Sequence, residues 1–317
     1  MKKYFLFVCL LVSELMLVAQ NSSIPHLQKQ GTATQLIVNN KPLLMLCGEL
    51  HNSSTSDASY MRPVWQMMAD KNLNTVVAAV SWELIEKEKG KFDFTLVDSM
   101  ITGARMHNLH LIVIWFASWK NSASTYMPSW VKKDGEKYPR VKDESGKTLE
   151  ILSTFGDASC QADAAAFKAL MKHIREFDQQ YQTVVMVQVE NEVGILNSNR
   201  DYSAVANKTF SSAIPKDLSA YLINNKEKLV PEFSAAWKAA GAKTNGSWEE
   251  VFGKSSFNDK DWKAFSYYTE ELFMAYHYAK YIGRVVAAGK EQYPIPMFVN
   301  AWLKQPTTAW PGKYPSG

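Results

Sequence analysis

A (β/α)8 TIM barrel of the α/β class is predicted by three features of this chain. Its strand-like runs are almost continuously apolar, they alternate with amphipathic helical stretches, and each ends in polar and aromatic residues. Strands apolar on both faces and separated by helices form a parallel sheet covered on both sides. Polar groups gathered at the C-terminal ends of such strands mark the face on which a barrel carries its active site. An open, doubly wound sheet also binds ligands there, but no glycine-rich phosphate loop follows the first strand.

Residues 1–20 read as an export signal. Lys2 and Lys3 precede an apolar run, Tyr4–Ala19, broken at Ser13-Glu14, and Ala19-Gln20-Asn21 offers a cleavage region. The run is too short and too interrupted for a stable membrane span, so a secreted or periplasmic protein is expected. Residues 21–317 read as one barrel domain. Within Thr34–Met45, two apolar runs flanking Asn39-Asn40 predict a β-hairpin. Leu44–Gly48 is the first parallel strand, ending at Glu49, and Tyr60–Met68 has helical spacing. Asn74–Val80 is the second strand, ending at Ser81-Trp82-Glu83, followed by a helix over Leu96–Met106. Leu111–Phe116 is the third, ending at Ala117-Ser118-Trp119, and Ala164–Phe177 is helical. Thr183–Val189 is the fourth, ending at Glu190-Asn191-Glu192. Lys263–Ala288 reads as one long helix whose aromatic stripe is core. Pro296–Asn300 begins a fifth strand, ending at Ala301-Trp302.

Two long segments interrupt this rhythm. Lys120–Ser159 follows the third strand and should cover the mouth of the site; Ile195–Lys260 follows the fourth and contains helical stretches such as Glu232–Ala240. A full barrel takes about 250 residues or more, yet the fifth strand lies close to Gly317. The expectation is a barrel truncated after about its fifth strand.

The chain has 317 residues, 46% hydrophobic and 21% charged, which is a globular balance. The net charge of +4 is dispersed, with no basic block of the kind that binds nucleic acid. Beyond the leader only Cys47 and Cys160 remain, which is no disulfide framework; both read as buried small hydrophobes. No residue cluster has metal-ligand spacing, so neither metal nor cofactor is expected. His107 and His110 flank a turn and read as structural.

Carboxyl groups at strand ends are candidates for paired acid/base work: Glu49, Glu83, Glu190 and Glu192. Glycoside hydrolysis requires two, one to protonate the leaving oxygen and, in retaining enzymes, one to attack the anomeric carbon from about 5–5.5 Å away. The fourth strand runs from a doubly buried segment straight into Glu-Asn-Glu. Three polar groups there cost stability unless they are paired or face a wet cavity. A partly desolvated acid suits a proton donor near neutral pH. Strict alternation would send Glu190 and Glu192 to one side and Asn191 to the other, so all three reach one pocket only if the strand end is distorted.

Val187–Gly194, VQVENEVG, resembles the acid/base motif VQVENEYG of glycoside hydrolase family 35 β-galactosidases. Trp82–Phe94, WELIEKEKGKFDF, is similar to that family's W-N-x-H-E-P-x-P-G-x-F-D-F, and Gly48–His51 to its Gly-Ser-Ile-His. The resemblance implies a retaining β-galactosidase that cleaves terminal β-galactosides of exported or dietary-type oligo- or polysaccharides by double displacement. By the match, Glu192 is the acid/base, Asn191 contacts the sugar 2-hydroxyl and Glu190 shapes the site. The family's nucleophile ends the seventh strand, which places it beyond Gly317; residues 1–317 alone are expected to be inactive. Asn52 stands where the family has Tyr, Ser118 where it has a sugar-binding Glu, and Glu83 and Ile85 replace Asn and His. Asn52 and Ser118 therefore sit around the non-reducing sugar with altered chemistry. A related β-glycosidase of other specificity, or a non-catalytic glycan-binding barrel, stays open. Trp82, Trp119 and Trp302 are candidate sugar platforms, because aromatic faces pack against pyranose rings. Export is checked by the intact mass of secreted protein: a chain starting near Asn21 is expected, and one starting at Met1 would refute the signal.

Overall fold

The computed structural model describes residues 23–121, 125–196, 198–254 and 269–300. Three antiparallel strands come first: β1 (His26–Gln30), β2 (Ala33–Val38) and β3 (Lys41–Leu43). The β2–β3 turn is Asn39-Asn40, with φ of 49° and 62°. Left-handed backbone at both turn residues is the tight hairpin geometry that Asn tolerates. The predicted hairpin is present, and β1 extends it by a strand that the sequence reading did not include.

The main sheet is assembled from β4 (Cys47–Glu49), β5 (Thr75–Ser81), β6 (His110–Phe116), β9 (Val184–Val189) and β10 (Met297–Phe298). The helices between them are α1 (Ala58–Asp70), α2 (Thr95–Met106), α3 (Asp157–Asp178) and α4 (Thr269–Lys290). All pairings are parallel, and the spatial order β4-β5-β6-β9-β10 is the order of the chain. A doubly wound sheet would reverse direction at a switch point. Winding in one direction only is that of a barrel arc, so the predicted class holds for the described part.

Local chemistry explains where the elements start and stop. The Asp57 side chain accepts from the backbone of Ser59 and Tyr60 and caps α1. Asn72 (φ 58°) and Asn108 (φ 54°) end α1 and α2 in the left-handed conformation that closes helices. On β6, Leu111, Val113 and Trp115 face the helices while Ile112, Ile114 and Phe116 face the other side, the period of two that a strand imposes. Leu36 and Val38 of the N-terminal hairpin pack on Ile112 and Val185 and so cover the lower end of that inner face. Gln182 ties the hairpin down: its Oε1 accepts from Asn39 N at 2.8 Å and its Nε2 donates to Ser23 O at 2.9 Å.

The segment after β6 contains an antiparallel pair, β7 (Arg140–Lys142) and β8 (Thr148–Leu152), where a loop was expected. Asp201 fastens it to the chain beyond β9, accepting from Lys142 N (3.2 Å), Ser153 Oγ (2.6 Å) and Ser203 N (2.7 Å). Short helices, Ala204–Phe210, Lys216–Asn225, Pro231–Ala239 and Trp248–Phe252, fill the second long segment. Trp248 packs edge-on against Phe273 of α4, as the core reading of that helix required. Cys160 is buried, but Cys47 is exposed, because β4 is an edge strand of the described sheet. The export signal, the start of the long helix and Trp302 lie outside the described residues. Among those described, no helix is long and apolar enough to cross a membrane.

At the lower rim, Asp178 is fully buried at the end of α3. It accepts from Arg105 at 2.7 Å and from Val184 N at 2.7 Å, joining α2, α3 and the start of β9. Removing one partner of a buried pair leaves the other uncompensated. Asp178→Ala is therefore expected to cost about 3–5 kcal/mol, read as a lowered urea midpoint; an unchanged midpoint would refute the role.

Candidate active site

At the opposite rim, β9 leaves the sheet after Val189. The chain turns through left-handed backbone at Glu190 (φ 60°) and again at Glu192 (φ 45°), a region uncommon for residues with a Cβ. The strand end is distorted, but the bend separates the three polar side chains by role and does not bring them to one pocket.

Glu190 is 1% exposed. Its two carboxyl oxygens accept from the backbone of Ser118 (3.2 Å) and Trp119 (2.7 Å), clamping the segment that follows β6. Behind it lies Asp163 of α3, fully buried, which accepts from Trp115 Nε1 at 2.9 Å and from Ser118 Oγ. The same Ser118 hydroxyl meets the Tyr281 hydroxyl of α4 at 2.8 Å. The Asp163 and Glu190 carboxyl groups face each other, and two buried carboxyl groups so placed are compatible only when a proton lies between them. Burial holds both carboxyl groups above the usual carboxylate range, and the adjacent Asp163 charge pushes Glu190 further.

Asn191 points elsewhere. Its Nδ2 donates to Lys120 O at 2.7 Å, and its Oδ1 accepts from Gln188 Nε2 and Asn300 Nδ2, both at 2.8 Å. Asn300, just past β10, accepts in turn from Glu192 N at 2.8 Å. The backbone of Glu192 is thus held from the neighbouring strand, with its residue half-buried at the rim. Among the described residues, no group of His, Cys, Asp and Glu is arranged to hold a metal ion.

The structure brings Glu190, Asn191, Glu192, Ser118 and Trp119 together, but not as equals. Ser118 and Trp119 are fully buried. The Trp119 indole packs edge-on against Tyr278 (5.0 Å) and Tyr281 (4.5 Å), and the Ser118 hydroxyl is turned to Asp163 and Tyr281. Neither presents a side chain at the surface, contrary to the expected sugar contacts, because Glu190 draws both backbones inward. Asn52 is exposed and lines an open cavity of about 200 Å³ with Ser81, Glu83 and Tyr126. Glu190, Asn191 and Glu192 do not line that cavity. At its edge, Glu83 pairs with Lys132 at 2.7 Å.

The Trp82–Phe94 motif acts as a brace. Trp82 Nε1 donates to Glu86 Oε2 at 2.6 Å, Gly90 N to Glu86 Oε1 at 2.7 Å, and Trp130 Nε1 to Glu86 O at 3.1 Å. Gly90 has a φ of 77°, which suits a residue without Cβ. Asp163, Tyr281, Gln188 and Asn300 were not singled out from sequence. One signal existed for Asp163: it lies on the apolar stripe of α3 with Cys160, Phe167, Leu170 and Ile174. A carboxylate on such a stripe needs a buried partner.

Comparison with known proteins places this geometry. The profile of the Glyco_hydro_42 family, described as Beta-galactosidase, matches residues 53–270, more than half of the chain. A β-galactosidase of Xanthomonas manihotis is 28% identical over 193 residues, covering 59% of this chain and 29% of that protein. The chain thus spans under a third of the length of that relative. The polyextremophilic β-galactosidase of Halorubrum lacusprofundi superposes with a TM-score of 0.52 at 18% identity, over 82% of this chain and 36% of its own. The β-galactosidase of Bacillus circulans sp. alkalophilus gives 0.50 at 17%, over 81% and 36%. At these identities the likeness is one of fold, and it is to TIM-barrel glycosidases. The resemblance to family 35 read from the motifs therefore resolves at the level of β-galactosidase-type hydrolases, and the matching profile is that of family 42.

The carboxyl pair has a thermodynamic signature. Folding raises the Glu190 pKa above its unfolded value of about 4.3, so folding favours the protonated form. The stabilisation is complete below that pH and is lost as pH rises towards the folded value. Glu190→Gln cannot ionise and is expected to flatten the decline of urea midpoint from about pH 5 upward. It should also lower the unfolding free energy by about 1–3 kcal/mol, since one backbone N–H loses its acceptor. An unchanged pH slope would overturn the shared-proton assignment.

Proposed function

The chain belongs to the glycoside hydrolase 42 family of β-galactosidases, and on that ground we propose that it carries the acid/base of a retaining β-galactosidase. Glu192 is that group. The observation that carries the reading is the end of β9, where Asn191 and the Glu192 backbone are held by Lys120 and Asn300 while Glu190 is withdrawn behind the strand. Glu192 first protonates the glycosidic oxygen and then activates the water that releases the sugar. Asn191 is assigned to the sugar hydroxyl next to the anomeric carbon. The nucleophile role is given to neither Glu190, which is buried, nor Glu83, which is paired with Lys132. The substrates are terminal β-galactosides of oligo- or polysaccharides outside the cytoplasm, where the leader would deliver the protein. The motifs Val187–Gly194 and Trp82–Phe94 support a position near family 35 within this group.

A second reading, a retaining β-glycosidase of other sugar specificity, is favoured by Ser118. Where the motif comparison expects a sugar-binding Glu, Ser118 is buried with its hydroxyl engaged by Asp163 and Tyr281. A panel of aryl β-glycosides separates the two by their ratios of kcat/KM.

In the full-length protein, Glu192→Gln is expected to lower turnover of alkyl β-galactosides by about 10²–10⁴-fold. Aryl substrates, whose leaving groups need no proton, should lose far less in the glycosylation step. Equal turnover of alkyl galactosides by parent and variant would refute the assignment.

A further inference from the structure

We propose that Asp163, on α3 and remote from any surface, is a positioning residue for Asn191 and Glu192; this rests on the glycosidase reading of that pair. The connection is continuous. Asp163 accepts from Ser118 Oγ and bonds the Glu190 carboxyl, and Glu190 accepts from Ser118 N and Trp119 N. Both the side chain and the backbone of Ser118 are therefore held by one carboxyl pair. The next residue but one, Lys120, offers the carbonyl that Asn191 Nδ2 bonds at 2.7 Å. Asn191 Oδ1 meets Asn300, which holds Glu192 N. A shift of the 118–120 segment passes directly to the amide proposed to orient the sugar.

The groups facing the pair come from every packed element: Trp115 on β6, Cys160 on α3 itself, and Tyr281 on α4. Arg284 of α4 lies near Cys160 and Tyr281 but is paired with Asp157, and the carboxyl pair itself is met by hydrogen bonds from Trp115, Ser118 and Trp119. That makes the geometry sensitive to the chemistry at Asp163. An Asn there keeps the shape and replaces one acceptor oxygen with a donor. Placed toward Trp115, that donor opposes the indole N–H; placed toward Ser118, it forces the hydroxyl to accept instead of donate; and in either case the carboxyl pair with Glu190 is lost.

Asp163→Asn is compared with Asp178→Asn, a buried carboxylate on the same helix at the far rim that touches none of these groups. In the full-length protein, Asp163→Asn is expected to lower kcat by about 10- to 100-fold with KM within about twofold. It should also reduce the hydrogen-exchange protection of the Ser118 and Trp119 amides. Asp178→Asn should lower the unfolding midpoint without either effect. If Asp163→Asn does not fold, Tyr281→Phe, which removes only the hydroxyl on Ser118, is expected to show the same changes at smaller size. Parental kcat and parental protection in the Asp163 or Tyr281 variant would overturn the proposal, as would an equal loss of kcat in Asp178→Asn. A parent protein that turns over no glycoside would refute the glycosidase reading instead. In that case exchange at Ser118 and Trp119 decides: protection lost in Asp163→Asn upholds the positioning role, and protection retained overturns it.

Discussion

Two carboxyl groups buried against one another, Asp163 and Glu190, form the contact on which the upper rim of the sheet depends. Withdrawing each from water costs several kcal/mol. The cost is offset by hydrogen bonds from the Trp115 indole, the Ser118 hydroxyl and the amides of Ser118 and Trp119, and by sharing one proton. Apolar residues of similar volume would serve stability as well or better. They could not take hold of two consecutive backbone amides, nor support left-handed backbone at Glu190. The consequence is a strand end that turns Glu190 inward while Asn191 and the Glu192 backbone are held at the rim by Lys120 and Asn300.

One helix serves both ends of the sheet. Asp163 and Asp178 lie on the same buried stripe of α3, 15 residues apart in number and so separated by about 22 Å along its axis. Asp178 joins Arg105 to the start of β9, and Asp163 joins its end. β9 is therefore fixed at both termini by carboxylates of the helix that precedes it. The lower site binds a cation and a backbone amide, and serves stability. The upper one makes no ion pair among the described residues, and burying two carboxyl groups there is electrostatically costly. The Trp82–Gly90 brace through Glu86 does similar work at the end of β5, with an indole and a glycine amide as donors.

Much of the fold was legible because the patterns that carry it are local. Continuous apolar runs marked β5, β6 and β9 to within a residue or two, and the 3.6-residue spacing marked α2 and the later part of α3, whose first seven residues, Asp157–Asp163, lay outside the expected helix. The Asn39-Asn40 hairpin followed from turn chemistry. The antiparallel pair β7–β8 was not legible: its strands are short, they lie within a segment rich in Ser, Lys, Asp and Gly, and they are held by Asp201, which is distant in sequence. Cys47 was misjudged as buried because its exposure depends on which strand lies beside β4, and a strand's own residues do not reveal that.

The candidate site divides along the same line. From sequence alone came the rim on which it lies, the Glu-Asn-Glu segment and its likeness to a glycosidase motif, since strand ends and short motifs are properties of neighbouring residues. Tertiary structure alone decided what each residue does. Glu190 became an internal clamp, Ser118 and Trp119 were drawn into the core, and Asn52 went to a cavity that the Glu-Asn-Glu segment does not line. Asp163, Tyr281 and Asn300 entered as partners from α3, α4 and the end of β10. A carboxyl group's role is set by what surrounds it in space, and those surroundings are contributed by residues from 27 (Asp163 to Glu190) to 108 (Asn300 to Glu192) positions away in the numbering.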